Sequence, residues 1–242
     1  MSSDTAPHAT PRLKTIGVLG GVGPQATMDF EHRLHRAAQR LIPPHLNSGY
    51  PPMFVCYLRH PPVRVSESGQ TILPIQANPA MFDRAKELGA LVDFLVITSN
   101  GVHLFKDEIE RAAGKPVLSM IDLTLAEIKL RGWTRVGVLG MGEPVVYTRP
   151  MKKLGIRSEI LDADSREQLN RAIIRLMEGC ENDETLATTR RSIQMLRERK
   201  VDGIILGCTE LPLLLRAEDL VASDLLDPLG LLAESAVIRS MQ

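Results

Sequence analysis

One pattern in this chain occurs twice. Thr15-Ile-Gly-Val-Leu-Gly20 and Arg135-Val-Gly-Val-Leu-Gly140 are apolar runs with glycine at matching places, about 120 positions apart. A second pair follows. Asp93-Phe-Leu-Val-Ile97 stops at Thr98-Ser99-Asn100-Gly101-Val102-His103, and Asp202-Gly-Ile-Ile-Leu206 stops at Gly207-Cys208-Thr209-Glu210-Leu211-Pro212. Short apolar runs ending abruptly at small polar residues are the signature of parallel strands buried on both faces. Repeats of this length predict two similar lobes rather than a solenoid.

The segments between the runs have helical length and period. Strands are expected at 15–20, 53–58, 94–98, 117–120, 135–140, 157–161 and 203–206. Helices are expected at 26–42, 81–91, 102–113, 121–131, 145–154, 165–178, 183–200, 211–216 and 229–238. Strand-like runs that alternate with helix-length segments give parallel sheets covered by helices. The expected fold is therefore α/β, with two pseudo-symmetric lobes, each a parallel sheet flanked by helices. Ligands of such sheets sit outside the carboxyl ends of the strands, which places the active site in the interlobe cleft. The expected division is 14–116 plus 225–242 for the first lobe and 117–224 for the second. Residues 1–13 are expected to form a flexible arm.

Bulk properties exclude several functions. Lys+Arg and Asp+Glu number 29 each, giving zero formal net charge, so nucleic acid is not an expected partner. No apolar stretch reaches the roughly 18 residues of a membrane span, and the polar N-terminus has no secretory apolar core. The three cysteines, Cys56, Cys180 and Cys208, are widely spaced and odd in number. That speaks against a disulfide framework or a metal site and for reduced thiols in the cytoplasm.

Chemistry is expected at the strand ends. Cys208 precedes an expected helix, where unpaired N–H groups and the helix dipole would lower its pKa; alternatively it is a small core residue. Thr209 and Glu210 add hydrogen-bonding groups beside it. Ser99 stands on the matching wall. A serine hydroxyl is a poor proton carrier near neutral pH, so His103 is a possible activator, or else a structural histidine at a helix start. Ser99 or Asn100 is alternatively an N-cap.

Gly20-Gly21-Val22-Gly23-Pro24-Gln25-Ala26-Thr27 formally fits a dinucleotide fingerprint. No acidic residue follows the second strand to hold a ribose, and Pro24 removes a donor. A small-anion site using Gly23 and Thr27 at a helix start is the better reading. Arg59 and Arg64 flank His60-Pro61-Pro62 and either pair with a substrate carboxylate or lie on the surface. Tyr147 is a candidate ligand hydrogen-bonder, whereas Lys152 and Lys153 read as solvated.

Taken together, Gly20-Gly21-x-Gly23-Pro24-x-Ala26-Thr27, Ser99-Asn100-x-x-His103 and Gly207-Cys208-Thr209-Glu210 resemble the aspartate/glutamate racemase superfamily, over residues 14–238. The resemblance implies two α/β lobes around one site, no cofactor, no metal, a small carboxylate or amino-acid substrate, and often a homodimer. Such racemases use two cysteines, one on each face of the substrate α-carbon. By this resemblance Cys208 matches the second cysteine and Ser99 stands where the first is usual. Asn100 and Thr209 match residues that hold the substrate's carboxylate or amino group, and Tyr147 matches a substrate-side tyrosine. Gly23, Thr27, Arg59 and Glu210 complete the expected binding set. The chain departs from the family pattern at Ser99, at Gly101 where threonine is usual, at His60-Pro61 in place of Asn-Pro, and in lacking an arginine over 43–50. The resemblance implies a racemase with one strong proton carrier. Related single-cysteine decarboxylases, cis-trans isomerases of dicarboxylates, and an inactive two-lobed anion-binding protein are the alternatives.

Overall fold

A computed structural model describes residues 12–43, 49–66 and 72–242. The expected arm therefore lies largely outside the described residues. The first lobe runs β1 (Ile16–Gly20), α1 (Pro24–Leu41), β2 (Met53–Tyr57), α2 (Pro79–Gly89), β3 (Phe94–Ile97), a 3₁₀ turn (Gly101–Phe105), α3 (Lys106–Ala113) and β4 (Val117–Leu118). The second runs α4 (Met120–Leu130), β5 (Arg135–Leu139), α5 (Val145–Lys153), β6 (Arg157–Glu159), α6 (Ala163–Met177), α7 (Asp183–Glu198), β7 (Gly203–Leu206), a 3₁₀ turn (Leu211–Leu214), α8 (Ala217–Leu220), β8 (Leu225–Leu226) and α9 (Pro228–Ser240).

The described strands form two four-stranded sheets, ordered β2-β1-β3-β4 and β6-β5-β7-β8. Every pairing is parallel, with Ile16 opposite Phe94 and Val136 opposite Gly203. In each sheet the chain reverses its winding between the first and third strands of the lobe. That reversal opens a crevice at their carboxyl ends. Val117–Leu118 pairs with the first sheet and Leu225–Leu226 with the second, so the chain changes lobe just after these strands rather than before them.

Alternation on the strands builds the layers. Ile16, Val18, Phe94 and Val96 face α1 and α9, whereas Leu19, Leu95 and Ile97 face α2 and α3. In the second lobe Val136, Val138 and Ile205 face α4 and α5, and Leu139, Ile204 and Leu206 face α6 and α7. The glycines of the repeat serve this packing. A Cβ on Gly17 would fall 2.9 Å from Val92 Cγ2 and 3.1 Å from Leu88 Cγ, and one on Gly137 would fall 2.9 Å from Leu196 Cδ1. The two aspartates of the other repeat pin strand starts: Asp93 Oδ2 accepts Thr15 N–H at 2.7 Å, and Asp202 Oδ2 accepts Thr134 N–H at 2.7 Å and Arg135 N–H at 2.8 Å.

The lobes are joined by an exchange of helices. α4 follows the last strand of the first sheet, yet Ile121 and Ile128 pack on the second. α9 follows the last strand of the second sheet, yet Leu229, Leu232, Ala233, Ala236 and Val237 pack on the first. Those five positions have i, i+3, i+4, i+7, i+8 spacing and make one stripe. Phe30, Leu34, Ala37 and Ala38 form the facing stripe on α1. Asp227 starts α9 by accepting Leu229 N–H at 3.0 Å, and Pro228 presets its first turn. The same Asp227 binds Arg33 of α1 at 2.5 Å.

Gly17→Ala is expected to lower stability by about 1–3 kcal/mol through overpacking against Val92 and Leu88. Urea unfolding should show a lower midpoint with an unchanged slope.

Candidate functional site

The carboxyl ends of β1, β3, β5 and β7 converge on one cavity of about 250 Å³. The first lobe contributes Val22, Gly23, Ser99, Asn100 and Gly101; the second contributes Met141, Met177, Gly207, Cys208, Thr209 and Glu210. Ser99 and Cys208 thus line the same space from opposite lobes.

Cys208 is only partly covered by the surrounding atoms, and its Sγ donates to Glu210 Oε2 at 3.0 Å. Thr209 Oγ1 donates to the same oxygen at 3.1 Å. Burial pushes the thiol well above its usual value, and the Glu210 charge and hydrogen bond push the same way. Backbone N–H groups of Glu210 and Met141 oppose this. The expected lowering by a helix start is therefore corrected. The segment after Cys208 is a four-residue 3₁₀ turn, Leu211–Leu214, rather than a helix over 211–216. Four residues carry little dipole, and a carboxylate beside the sulfur outweighs it.

Glu210 reaches across the cleft. A methyl group on Gly23 would fall 1.9 Å from Glu210 Oε1. Gly23 is the N-cap of α1 with Pro24 following. The α1 start, expected as an anion site, already faces this carboxylate. Thr27 does not face the cavity. It is fully buried, its Oγ1 accepts Gly21 N–H at 2.9 Å, and it lies 2.8 Å from Thr98 Oγ1. Its role is to tie the glycine turn, with Gly21 at φ +80°, to the end of β3.

Asn100 and Tyr147 form a bridge between lobes. Tyr147 is 0% exposed and donates from Oη to Asn100 Oδ1 at 2.5 Å. Tyr147 is absent from the cavity wall, so the expectation that it meets the ligand is replaced by one in which it orients Asn100. Asn100 is 5% exposed and makes no capping bond. Its Nδ2 is buried without a partner among the described residues. A buried amide donor left unpaired costs on the order of 1–3 kcal/mol, which a ligand acceptor in the cavity would recover. Gln25 Nε2 adds a second interlobe bond, to the Met177 carbonyl at 3.2 Å.

His103 is not placed to activate Ser99. Its Nε2 accepts Met120 N–H at 3.1 Å, so Nδ1 carries the proton and donates to the Ser99 carbonyl at 2.8 Å. Neither nitrogen is left for the hydroxyl. Burial holds the ring neutral, with its pKa lowered from 6.5 to about 4. Arg59 also stands outside the cavity; it is exposed, with its guanidinium 5.2 Å from the Tyr57 ring centroid. Arg64 donates to Gln76 Oε1 at 3.2 Å.

Sequence reasoning missed Val22, Met141 and Met177. Met141 follows Gly140 in the repeated strand, at the position of Gly21 in the first copy, so the repeat held a signal for it. Met177 is the last residue of α6, and nothing in the local pattern points it at the cleft. No group of three or more His, Cys, Asp or Glu suited to a metal ion occurs among the described residues. None of their helices is long and apolar enough to cross a membrane.

Comparison with known proteins gives a consistent result. The model of the Asp/Glu/hydantoin racemase family matches residues 19–236. The broad specificity amino-acid racemase RacX of Bacillus subtilis (strain 168) is 27% identical over 230 residues, covering 92% of this chain and 96% of that protein. Among solved structures, an aspartate racemase homologue from Pyrococcus horikoshii OT3 superposes with a TM-score of 0.73 at 22% identity, covering 95% of this chain and 100% of that one. The Picrophilus torridus aspartate racemase has a TM-score of 0.73 at 22% identity, covering 94% of each chain. These two likenesses establish the shared fold.

The buried His103 should make stability pH-dependent. The unfolded chain takes up the proton near the ordinary value of 6.5, before the folded chain does near 4. Stability is therefore intact above this window and falls as pH drops through it, by up to about 3 kcal/mol. Urea midpoints at pH 7 and pH 4.5 should differ in this direction, and His103→Gln should flatten the difference.

Proposed function

Because the chain belongs to the Asp/Glu/hydantoin racemase family, we propose that it interconverts the enantiomers of an α-amino acid without a cofactor, with Cys208 as the principal acid/base. Family membership makes the protein an isomerase of the amino-acid racemase type. The observation that carries the mechanistic reading is the Cys208–Glu210 pair inside the cavity at the strand ends.

The pair supplies what a proton carrier needs in both states. Glu210 Oε2 accepts the hydrogen bond of the resting thiol, and that proton leaves to solvent when the thiolate forms. Backbone N–H groups of Met141 and Glu210 stabilise the thiolate once formed. A substrate ammonium beside Glu210 offsets the negative charge that holds the resting thiol protonated, so substrate binding itself favours the reactive state. The thiolate then removes the α-proton, and the electron pair of the broken C–H bond delocalises into the substrate carboxylate. A proton returns to the opposite face from the Ser99 side, from its hydroxyl or from a water bound to it, and solvent resets the two groups. Asn100 Nδ2 donates to the carboxylate as negative charge builds there, the kind of contact that strengthens in the transition state. Tyr147 holds Asn100 in place for this.

One thiol in the wall also suits a reaction needing protonation on one face, such as decarboxylation of a substituted malonate. Release of carbon dioxide from such a substrate, without α-proton exchange of amino acids, would favour that reading. Ligand binding without turnover, unchanged in Cys208→Ser, would favour a catalytically inert binding protein.

Cys208→Ser should reduce α-proton exchange in D₂O by about 10²–10⁴-fold, the usual contribution of a positioned acid/base. Glu210→Gln should separate two quantities. Removing the carboxylate lowers the thiol pKa, so alkylation of Cys208 by iodoacetamide at pH 7.5 should accelerate while α-proton exchange slows. Ser99→Cys should raise the rate from the slower enantiomer, since a thiol is a far better carrier than a hydroxyl near neutral pH. An unchanged enantiomer ratio in that variant would remove Ser99 from the mechanism.

A further inference from the structure

We infer that the cavity selects amino acids with a neutral, apolar side chain, and that it disfavours the acidic substrates after which the family is named. This inference rests on the α-proton exchange reading of the same site and concerns what the rest of the substrate meets there.

Charge in the cavity wall sets the selectivity. The chain has 29 Lys and Arg residues, and all lie among the described residues. None lines the cavity. The arginines best placed by sequence are engaged elsewhere, Arg59 on Tyr57 and Arg64 on Gln76. Arg149, Lys152 and Lys153 of α5 are exposed, on a helix whose Tyr147 and Met151 face inward. The one charged side chain in the wall is Glu210.

A zwitterionic α-amino acid head group fits this wall. Its ammonium balances Glu210, and its carboxylate accepts from Asn100 Nδ2, a buried donor with no partner among the described residues. The α-carboxylate is then accommodated without a protein cation because the substrate carries its own. A second carboxylate has no such compensation. It would enter a partly desolvated cavity with no cation and with Glu210 as a like charge, and buried charge is tolerated only when paired. A cationic side chain is not matched either, because the α-ammonium already balances Glu210, the one carboxylate in the wall.

What remains in the wall is Val22, Met141 and Met177. Three apolar side chains, two of them methionines, form a surface for an uncharged substituent. Methionine is unbranched and polarizable and adapts to different shapes. The cavity, at about 250 Å³, falls below the range of drug-sized ligand pockets, which suits a single small amino acid. The structure thus assigns tolerance among neutral side chains and rejection of charged ones.

The test is α-proton exchange in D₂O followed by proton NMR, using the full chain with L-methionine, L-leucine, L-aspartate, L-glutamate and L-lysine in separate reactions. L-methionine or L-leucine should be exchanged with a kcat/KM on the order of 100-fold above L-aspartate, L-glutamate and L-lysine, a ratio within reach of pocket discrimination. A ratio below about tenfold, or faster exchange of any charged substrate, overturns the inference and leaves the racemase reading standing. Exchange of none of the five by folded protein overturns both. Met177→Arg supplies a cation to the wall and should shift the aspartate-to-methionine ratio toward aspartate by about tenfold or more. A folded Met177→Arg variant that still exchanges methionine at an unchanged ratio counts against the inference.

Discussion

Everything at the site depends on the reciprocal crossing of α4 and α9. Each helix leaves one sheet and packs on the other, and the two also pack on each other. Neither lobe completes its apolar cover alone. Without α9, the stripe of Phe30, Leu34, Ala37 and Ala38 on α1 and the face of β1 would meet water. Burying a side chain such as Leu229 or Leu232 is worth about 1.5–3 kcal/mol, so separating the lobes exposes several such residues at once. The Arg33–Asp227 pair ties the start of α9 to α1 while the Asp227 carboxylate caps α9. The carboxyl ends of two sheets are thereby held on one cavity.

That arrangement makes the cavity an interface, and its polar groups behave as interface groups. Tyr147 comes from one lobe and Asn100 from the other; Glu210 comes from the second lobe and lies against Gly23 of the first. Gly23 lacks a side chain at the point where the carboxylate arrives. Glu210 acts on Cys208 in two ways. Its Oε2 accepts the thiol's hydrogen bond, and its charge holds the resting thiol protonated. A group with both properties responds strongly to whatever charge enters the cavity, which couples substrate binding to proton transfer.

Much of this is legible in the sequence. The strand-terminal runs at Ser99-Asn100 and Cys208-Thr209-Glu210 identified the cavity's wall, because a short continuous apolar run that halts at small polar residues, between helix-length segments, marks the end of a buried parallel strand. The roles of individual side chains were less legible. Thr27, Tyr147 and His103 have the functional groups expected of ligand-binding residues, and each spends them on the protein: on Gly21, on Asn100, and on the backbone of Ser99 and Met120. A sequence shows that a donor exists; only the arrangement of neighbours shows whether it is already occupied. Cys208 is the sharpest case. Its position before an expected helix predicts a lowered pKa, whereas the adjacent Glu210 folds back onto the sulfur and a short 3₁₀ turn stands where the helix was expected.

The sequence by itself determined the parallel sheets, the duplicated lobe and the strand ends that bear Ser99 and Cys208. These follow from local periodicity and from glycine and aspartate at repeated positions, which act over a few residues. The tertiary structure alone decided which side chains face the ligand, the ionisation of Cys208 and His103, and the absence of a cation from the cavity wall. Those properties are set by distances between groups far apart in the chain. Met177 ends a helix about 155 positions from Gly23, and both reach the same 250 Å³ only because two helices cross between the lobes.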